Sequence, residues 1–462
     1  MIPSDPMTAR ELRASLGLAG IFGLRMLGMF IILPVFALYA SGLPGGENRA
    51  LVGLALGAYG LTQAGLQIPF GWLSDLWGRK QTIYLGLAIF AAGSLVAGLA
   101  QDLIWVTVGR VIQGGGAISA AVVALAADLT RESQRTKAMA IIGMTIGLSF
   151  AVSMVAGPFL GHVVGVPGIF ILTGLLALGA MLVTRFLVPD PVEGERVAAA
   201  TSKVSFLALF SDPQLLRLNY GIFALHAILM ALFVTVPFAL QAHLPVAQHW
   251  KIYLSVMLAA FAIMVPPMML AERRNWQKPV FGGAVMALSL AIGLLAISGD
   301  ALVFLAGGLV VFFSAFNLLE AMLPSLISRL APAAAKGTAI GIYSSIQFVG
   351  TFAGAAAGGW LAQESGAPSV AVLCAGLAGV WLLLVPGMRM PPGTATRHYR
   401  LPAMEPPATT DLMRALAGLP GVHDVNLSGD GMACLTVDRQ GFDEQNVIKL
   451  LAGENQTWHQ ST

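Results

Sequence analysis

The chain has 462 residues, 56% of them hydrophobic and only 11% charged, with a formal net charge of +3 and a mean hydropathy of +0.78. A soluble domain carries about 25% charged residues, so most of this chain has lipid as its solvent. The bases are spread over short segments rather than gathered on one face, which excludes a nucleic-acid surface. Two cysteines, Cys374 in an apolar run and Cys434 near the end, make neither a disulfide framework nor a metal site, and no cofactor is expected.

Met1 to Leu12 does not read as a cleavable signal. The apolar run that follows, Leu16 to Ala40, is too long for a signal core and lacks a small-residue cleavage site. It is the first of twelve expected membrane spans: 16–40, 50–72, 81–101, 103–129, 138–161, 166–189, 217–242, 250–271, 280–299, 301–327, 338–362 and 368–388. Each approaches or exceeds the ~20 residues a helix needs to cross a bilayer. With the N-terminus inside, the cytoplasmic side holds Arg10, Arg13, Arg79, Lys80, Arg131, Arg135, Lys137, Arg196, Lys203, Arg273, Arg274, Lys278, Arg329, Lys336 and Arg389. The other side holds Arg49 and Lys251. This asymmetry predicts both termini in the cytoplasm of a cell inner (plasma) membrane.

The polar segment Pro189 to Leu216, with Glu193, Glu195, Arg196 and Lys203, splits the spans six and six. The expected units are 1–188, a linker 189–216, 217–390, and a connector with a small soluble domain over 391–462. An offset of 199 places Lys137 on Lys336, Arg79 on Lys278, and the Gly157-Pro158 region on Ala356-Ala357 beside Gly358-Gly359. That is where an internal repeat would fall. Beyond Met388, Pro391-Pro392 and Pro406-Pro407 bracket a stiff connector. A strand over Arg397 to Met404, a helix capped by Thr409-Thr410-Asp411, strands Val422 to Leu427 and Met432 to Val437 around the turn Ser428-Gly429-Asp430-Gly431, and a second helix from Phe442 to Leu451 give the order β-α-β-β-α. That is most of a ferredoxin-like unit. The expected fold is thus an all-α membrane protein, twelve helices in two pseudo-symmetric six-helix bundles, plus a small α+β ferredoxin-like domain.

Between spans two and three stands Gly71-Trp72-Leu73-Ser74-Asp75-Leu76-Trp77-Gly78-Arg79-Lys80. One acid and two bases flanked by glycines fill a tight helix-to-helix reversal. Early in span four, Arg110, Gln113, Gly114, Gly115 and Gly116 form a second pattern, and Asp128 ends that span ahead of Arg131, Arg135 and Lys137. Span five carries Gly143, Gly147, Gly157-Pro158 and Gly161, small residues that let helices pack closely and a proline that bends one. Arg25 lies about nine residues into span one with no other charge near it in sequence. A charge at membrane depth costs ~2.5–3.5 kcal/mol on insertion scales. Arg25 and Arg110 must therefore face a cavity or a partner, or snorkel to the interface. His226 and Glu320 lie ~14 and ~12 Å from the same side on spans seven and ten, so contact between them is open. Intramembrane carboxylate and histidine are the usual parts of a proton relay; the alternative is a static pair that orients helices. Asn317 shares the helix face of Glu320. Tyr59, Gln63, Gln67, Tyr343, Ser345 and Gln347 are candidate cavity-lining polars, and Met26, Met29, Phe30 and Phe36 suit an adaptable apolar pocket.

The first pattern, at Gly71, Leu73, Asp75, Gly78, Arg79 and Lys80, resembles motif A of the major facilitator superfamily, and the second resembles its motif B. Span five resembles motif C of its antiporters, with Ser153 and His162 where glycines stand in that motif. The resemblance covers residues 10–390. It narrows toward proton-driven exporters of the bacterial inner membrane at Leu24–Tyr39, in the loop opened by Asp128, and around Asn317–Glu320. It implies alternating access and no enzyme activity. It makes Gly71, Asp75, Gly78, Arg79, Lys80 and Asp128 a conformational latch, and Glu320, His226, Arg110, Asp128 and Arg25 the proton-coupling candidates. The implied partners are a small, lipophilic substrate, protons, the bilayer, and a cytoplasmic partner or ligand of the terminal domain. Proton symport of a metabolite or sugar, and a non-transporting sensor, are the alternatives.

Overall fold

The computed structural model describes residues 7–190, 206–297, 301–332, 335–390, 394–401, 406–427, 432–438 and 442–451. Glu193, Glu195, Arg196, Lys203, Pro391-Pro392, Met404 and the turn Ser428–Gly431 lie outside them. Among the described residues, twelve helical spans are long and apolar enough to cross a membrane. They are α1 (Ala9–Ser41), α2 (Arg49–Trp77), α3 (Arg79–Leu99), α4 (Leu103–Asp128), α5 (Lys137–Val163), α6 (Gly165–Phe186), α7 (Pro213–Gln241), α8 (Val246–Ala271), α9 (Gln277–Ala296), α10 (Leu302–Leu330), α11 (Lys336–Glu364) and α12 (Ala367–Gly387).

Local chemistry sets the ends and breaks of these helices. Asn48, Asp102 and Asp212 cap α2, α4 and α7 by accepting from the backbone N–H two or three residues on, satisfying donors that the first turn orphans. Thr8 and Glu11 form a reciprocal capping box that starts α1 at Ala9, well before Leu16. α1 is interrupted at Ile31–Ile32, where Pro34 cannot donate to the preceding turn. α4 is interrupted over Gly115–Ile118, within its glycine run. The polar run before Lys137 also coils, so the fifth helix starts at Glu132 rather than 138. Gly78 joins α2 to α3 in one residue with φ +108°, a conformation that side chains with a Cβ rarely adopt.

Packed positions recur at an offset of about 200 residues, as two repeats would give. Gly157 of α5 meets the Ile31 carbonyl and Pro34 of α1, and Gly358 of α11 meets Ala231 of α7. Likewise Thr145 and Ser149 of α5 pack on Gly23 of α1, and Gly350 of α11 packs on Phe223 of α7.

The longest seam joins α2 to α11. A Cβ on Gly53 would overlap the Ala355 carbonyl oxygen and Gly359, and Gly57 and Gly60 lie against Phe352 and Phe348. At the Arg49 end, the Arg49 N–H donates to Gln363 Oε1 at 2.9 Å. The seam does not continue toward the end that carries Asp75, Arg79 and Lys80, the basic end. Gly341 shares the helix face of Phe348, Phe352 and Gly359, yet a Cβ there would meet nothing within 4 Å. On α2, Ile68 shares the face of Gly53 and Gly57 and is 52% exposed. The two helices touch at one end and part at the other.

A separate small unit follows. It comprises β1 (Thr394–Arg400), α13 (Pro406–Ala417), β2 (Val422–Leu427), β3 (Met432–Asp438) and α14 (Glu444–Leu451). β3 lies between β1 and β2, antiparallel to both, with His398 opposite Cys434 and Val425 opposite Leu435. Alternate β3 residues, Ala433, Leu435 and Val437, form a core with Leu416 and Val447. Pro406-Pro407 is not connector but the first turn of α13, ahead of the expected cap at Thr409. Proline is tolerated there because its missing N–H would be unpaired in any case.

Candidate functional site

Three clusters of polar side chains are built on these helices. The first lies at the basic end. Arg79 reaches back one turn to Asp75, donates to the Ser74 hydroxyl at 2.8 Å, and places Nε 3.2 Å from Asp128 Oδ2 at the end of α4. One guanidinium thus ties the ends of α2, α3 and α4 together, with Gly71 packed on Ala120 of α4. Asp128 is largely buried, whereas half of the Asp75 side chain remains exposed. Lys80 turns away from this cluster. It donates to the Val188 carbonyl at 2.7 Å and pairs with Asp190 at 2.7 Å, and its ammonium holds the Asp190 carboxyl below the usual carboxylate range. Arg10 and Arg13 donate to the Asp190 and Phe186 carbonyls of the same segment. Lys278, which the offset of 199 places on Arg79, donates to the Pro386 carbonyl near the end of α12 at 2.7 Å.

Glu11 also belongs to this end. Its carboxylate accepts from the backbone N–H, Nε and Nη2 of Arg131, at 2.9–3.0 Å, fastening the start of α1 to the loop after α4. Sequence reading passed over Glu11, although Thr8-x-x-Glu11 is a legible capping box.

The second cluster is deep in the first six helices. Arg25 and Arg110 are each 1% exposed and do not snorkel. Arg25 donates to Ser119 (3.2 Å), the Tyr59 hydroxyl (2.9 Å) and Gln63 Oε1 (2.5 Å), and Gln63 in turn donates to Gln67 (3.1 Å). Arg110 donates to Gln113 (3.0 Å) and the Leu56 carbonyl (3.3 Å), with its guanidinium 5.0 Å from the Tyr59 ring centre. Gln113 passes the chain to Ser94 at 2.7 Å, and Gly114 backs onto the Tyr59 carbonyl. Among the described residues no carboxylate lies within ion-pair distance of either arginine. Removing a cation from water costs several kcal/mol; here neutral acceptors and one ring face offset it. Tyr59 and Gln63 are therefore buried acceptors of an arginine, and Gln67 a buried acceptor of Gln63, rather than walls of an open cavity. Ser94 and Ser119, which complete the network, carry no sequence signal.

The third cluster joins α7, α10 and α11. His226 Nε2 lies 3.8 Å from Glu320 Oε2, as their equal depths allowed. The Gln347 amide nitrogen sits between them, 2.8 Å from His226 Nε2 and 3.5 Å from Glu320 Oε1. His226 Nδ1 lies 3.3 Å from the Ile222 carbonyl. Three buried polar atoms of this region, Asn317 Nδ2, Glu320 Oε2 and the Tyr343 hydroxyl, have no hydrogen-bond partner among the described residues. Glu320 keeps 29% of its side chain exposed. One turn before it on α10, Phe316 meets the His226 ring edge-on at 5.8 Å and stacks on Phe150 of α5 at 5.3 Å; Phe150 meets Phe30 of α1 at 5.0 Å. Since α10 runs toward the basic end, the carboxylate lies on the basic-end side of this aromatic layer. Gly157, Pro158 and Gly161 take no part in the polar clusters; they seat α5 on the break in α1.

The family model described as the Major Facilitator Superfamily matches residues 18–355. The chain is 45% identical over 401 residues to the inner membrane transport protein YajR of Escherichia coli, covering 86% of this chain and 88% of that one. It is 34% identical over 353 residues to a transporter of Buchnera aphidicola, covering 75% and 90%. Two solved structures share the fold. The human organic anion transporter MFSD10 superposes with TM-score 0.62 at 20% identity, covering 82% of this chain and all of that one. A D-xylose–proton symporter superposes with TM-score 0.64 at 13% identity, covering 80% and 96%. Twelve apolar spans among the described residues agree with these matches. The chain belongs to the Major Facilitator Superfamily, as a multi-pass membrane transporter of the YajR type and not an enzyme.

Proposed function

We propose that this transporter exports small, lipophilic molecules by alternating access, in exchange for protons taken up at Glu320 and His226. The observation that carries the reading is the contact of a carboxylate, an imidazole and an amide from three helices at membrane depth, with one carboxylate oxygen unbonded. Groups of this kind take up and release protons, and they are costly to keep inside a membrane without a task.

The basic end faces the cytoplasm, by the excess of Lys and Arg there. In this orientation the α2–α11 seam closes the outer side and opens inward. Glu320 stands on the open side of the Phe30–Phe150–Phe316 layer, where a substrate from the cytoplasm reaches it. Two six-helix bundles rock about this layer. When they close at the basic end, Asp75, on the same face of α2 as Gly57, meets the N-terminus of α11 at Lys336. The helix end and the ammonium both favour a carboxylate. Arg79 and Asp128 hold Asp75 in place for that meeting, which makes the cluster a latch. Arg25 and Arg110 keep a fixed positive charge in the first bundle opposite the titrating acid of the second. Each proton entering is worth ~2.3 kcal/mol per 100 mV, enough to drive export against a substantial gradient. The seat of α5 on the broken α1 fits the antiport motif.

The terminal unit is ferredoxin-like in strand order, with β3 between β1 and β2. It lies in the cytoplasm and takes a partner or ligand there. The test is proton movement in liposomes holding the full chain. With a pH gradient imposed and lipophilic compounds and metabolites screened, a substrate releases proton flux that is absent from protein-free liposomes. Absence of flux with every compound, while the terminal unit still binds a cytoplasmic partner, would favour a sensor.

A further inference from the structure

With the Gln347 amide nitrogen toward His226, the hydrogen bonds of this group fit one arrangement of protons. The Ile222 carbonyl can only accept, so His226 carries its hydrogen on Nδ1, which faces that carbonyl at 3.3 Å. Nε2 is then an acceptor, and the Gln347 amide donates to it at 2.8 Å. The same amide nitrogen lies 3.5 Å from a Glu320 oxygen. One NH₂ group serves two acceptors, an arrangement that suits a proton-free pair.

A proton from water changes this. It bonds either to the His226 Nε2 lone pair or to a Glu320 oxygen, adding one positive charge and breaking no bond in the protein. On Nε2 or Oε1 it makes a donor that faces the amide NH₂, and two donors do not bond; on Oε2 it leaves Oε1 accepting and puts an O–H 3.8 Å from Nε2, where it competes with the amide for that lone pair. Gln347 must respond. Either the amide turns about its last bond and presents Oε1, or the side chain withdraws and lets His226 pair with Glu320, 3.8 Å away.

The response has a packed route to the seam. Gln347 lies on α11 next to Phe348, whose carbonyl touches Gly60 of α2 and whose ring is 6.3 Å from Tyr59. Thr351 binds the Gln347 carbonyl at 3.1 Å, and Gly350 packs on Phe223 of α7. We propose that Gln347 is the positioning residue that reads the proton on the Glu320–His226 pair and passes it to the α2–α11 seam. This rests on the proton-uptake reading given above. Among the described residues, Tyr343 on α11 faces this region and, beyond Phe348, Tyr59 with Arg25 and Arg110; the titratable side chain of α12 is Cys374.

The test uses the full chain in liposomes, with Cys434→Ser and spin labels at Ile68→Cys and Gly341→Cys, the facing positions where the seam has parted. The distance distribution is followed against pH. Wild type shifts between two distributions, Glu320→Gln does not, and Gln347→Leu loses the shift while the nuclear magnetic resonance signals of the His226 ring, 3.8 Å from Glu320, still respond to pH. Gln347→Met, which has no amide and does not titrate, loses the shift in the same way and serves as the second variant if the leucine variant does not fold. If wild type shifts, Glu320→Gln abolishes the shift and either Gln347 variant retains it, the relay stands and the role of Gln347 is overturned. If wild type shows no shift, or Glu320→Gln keeps it, the relay fails and the inference falls with it.

Discussion

Arg79 and Asp128, 49 residues apart, meet with Nε 3.2 Å from Oδ2, and Asp75 holds the same guanidinium from the other side. A hydrogen bond to a charged group contributes about 1.5–3 kcal/mol. Asp128→Asn is expected to lower the thermal midpoint of the detergent-solubilised protein by a few degrees and to slow transport more than tenfold. Arg79→Lys should not restore either value, because an ammonium lacks the planar fork that engages two carboxylates and Ser74 together. Melting curves and transport rates on the two variants check both statements.

Asp190 gives a pH dependence whose sign is fixed. Its carboxyl is held low chiefly by the hydrogen bond from Lys80. A carboxyl lowered in the folded state contributes above its unfolded value, and the contribution is lost as pH falls through the folded value. The Lys80–Asp190 contact should therefore be intact at neutral pH and open in acid below the ordinary carboxylate range. Asp190 is largely exposed, so the effect is confined to the end of α6. Backbone hydrogen exchange over 186–190 should lose more protection on acidification in wild type than in Asp190→Asn.

Bulk added at the two ends of the α2–α11 seam should act in opposite directions. Gly53→Val forces a methyl-bearing carbon into the Ala355 carbonyl. Overpacking of this kind costs about 1–3 kcal/mol, which the closed Arg49 end of the seam must bear. This variant should expose cysteines placed at the Arg49 end of the seam to reagents from outside. Gly341→Val adds a Cβ that meets nothing within 4 Å in the present state; it should leave that state intact and resist closure of the basic end.

The buried arginine of α1 should tolerate no substitute. Arg25→Lys cannot reach Ser119, Tyr59 and Gln63 at once, and Arg25→Met leaves those three polar groups without their donor. Each unsatisfied buried group costs about 1–3 kcal/mol. Both variants should lose transport, and Arg25→Met should also lower the yield of folded protein, as measured by size-exclusion chromatography of detergent extracts.

Much of this architecture is legible in the residues. Twelve apolar runs separated by caps such as Asn48, Asp102 and Asp212 show as spans, because hydrophobic length and capping chemistry are local. The contact of His226 with Glu320 is accessible from depth alone, since two helices running in opposite directions reach one level at those positions. Three things are not legible. The starts of α1 and α5 lie in polar sequence, where apolar patterning is silent and only the Thr8–Glu11 capping box gives a sign. The partners of Arg25 depend on which faces of α1, α2 and α4 meet, and Ser119 is an unremarkable serine until they do. Gln347 reads as one more polar residue on α11; its position between an acid and a histidine is set by the packing of three helices that are distant in sequence.

The central claim is that the carboxylate of Glu320 carries the proton. The most direct measurement compares wild type and Glu320→Gln in liposomes, recording internal pH with a trapped dye while a substrate found in the wild-type screen is added on one side. The account predicts substrate-triggered proton flux in wild type and none in Glu320→Gln, with the variant still folded and still exchanging substrate for substrate across the membrane. Proton flux in Glu320→Gln equal to wild type would contradict it.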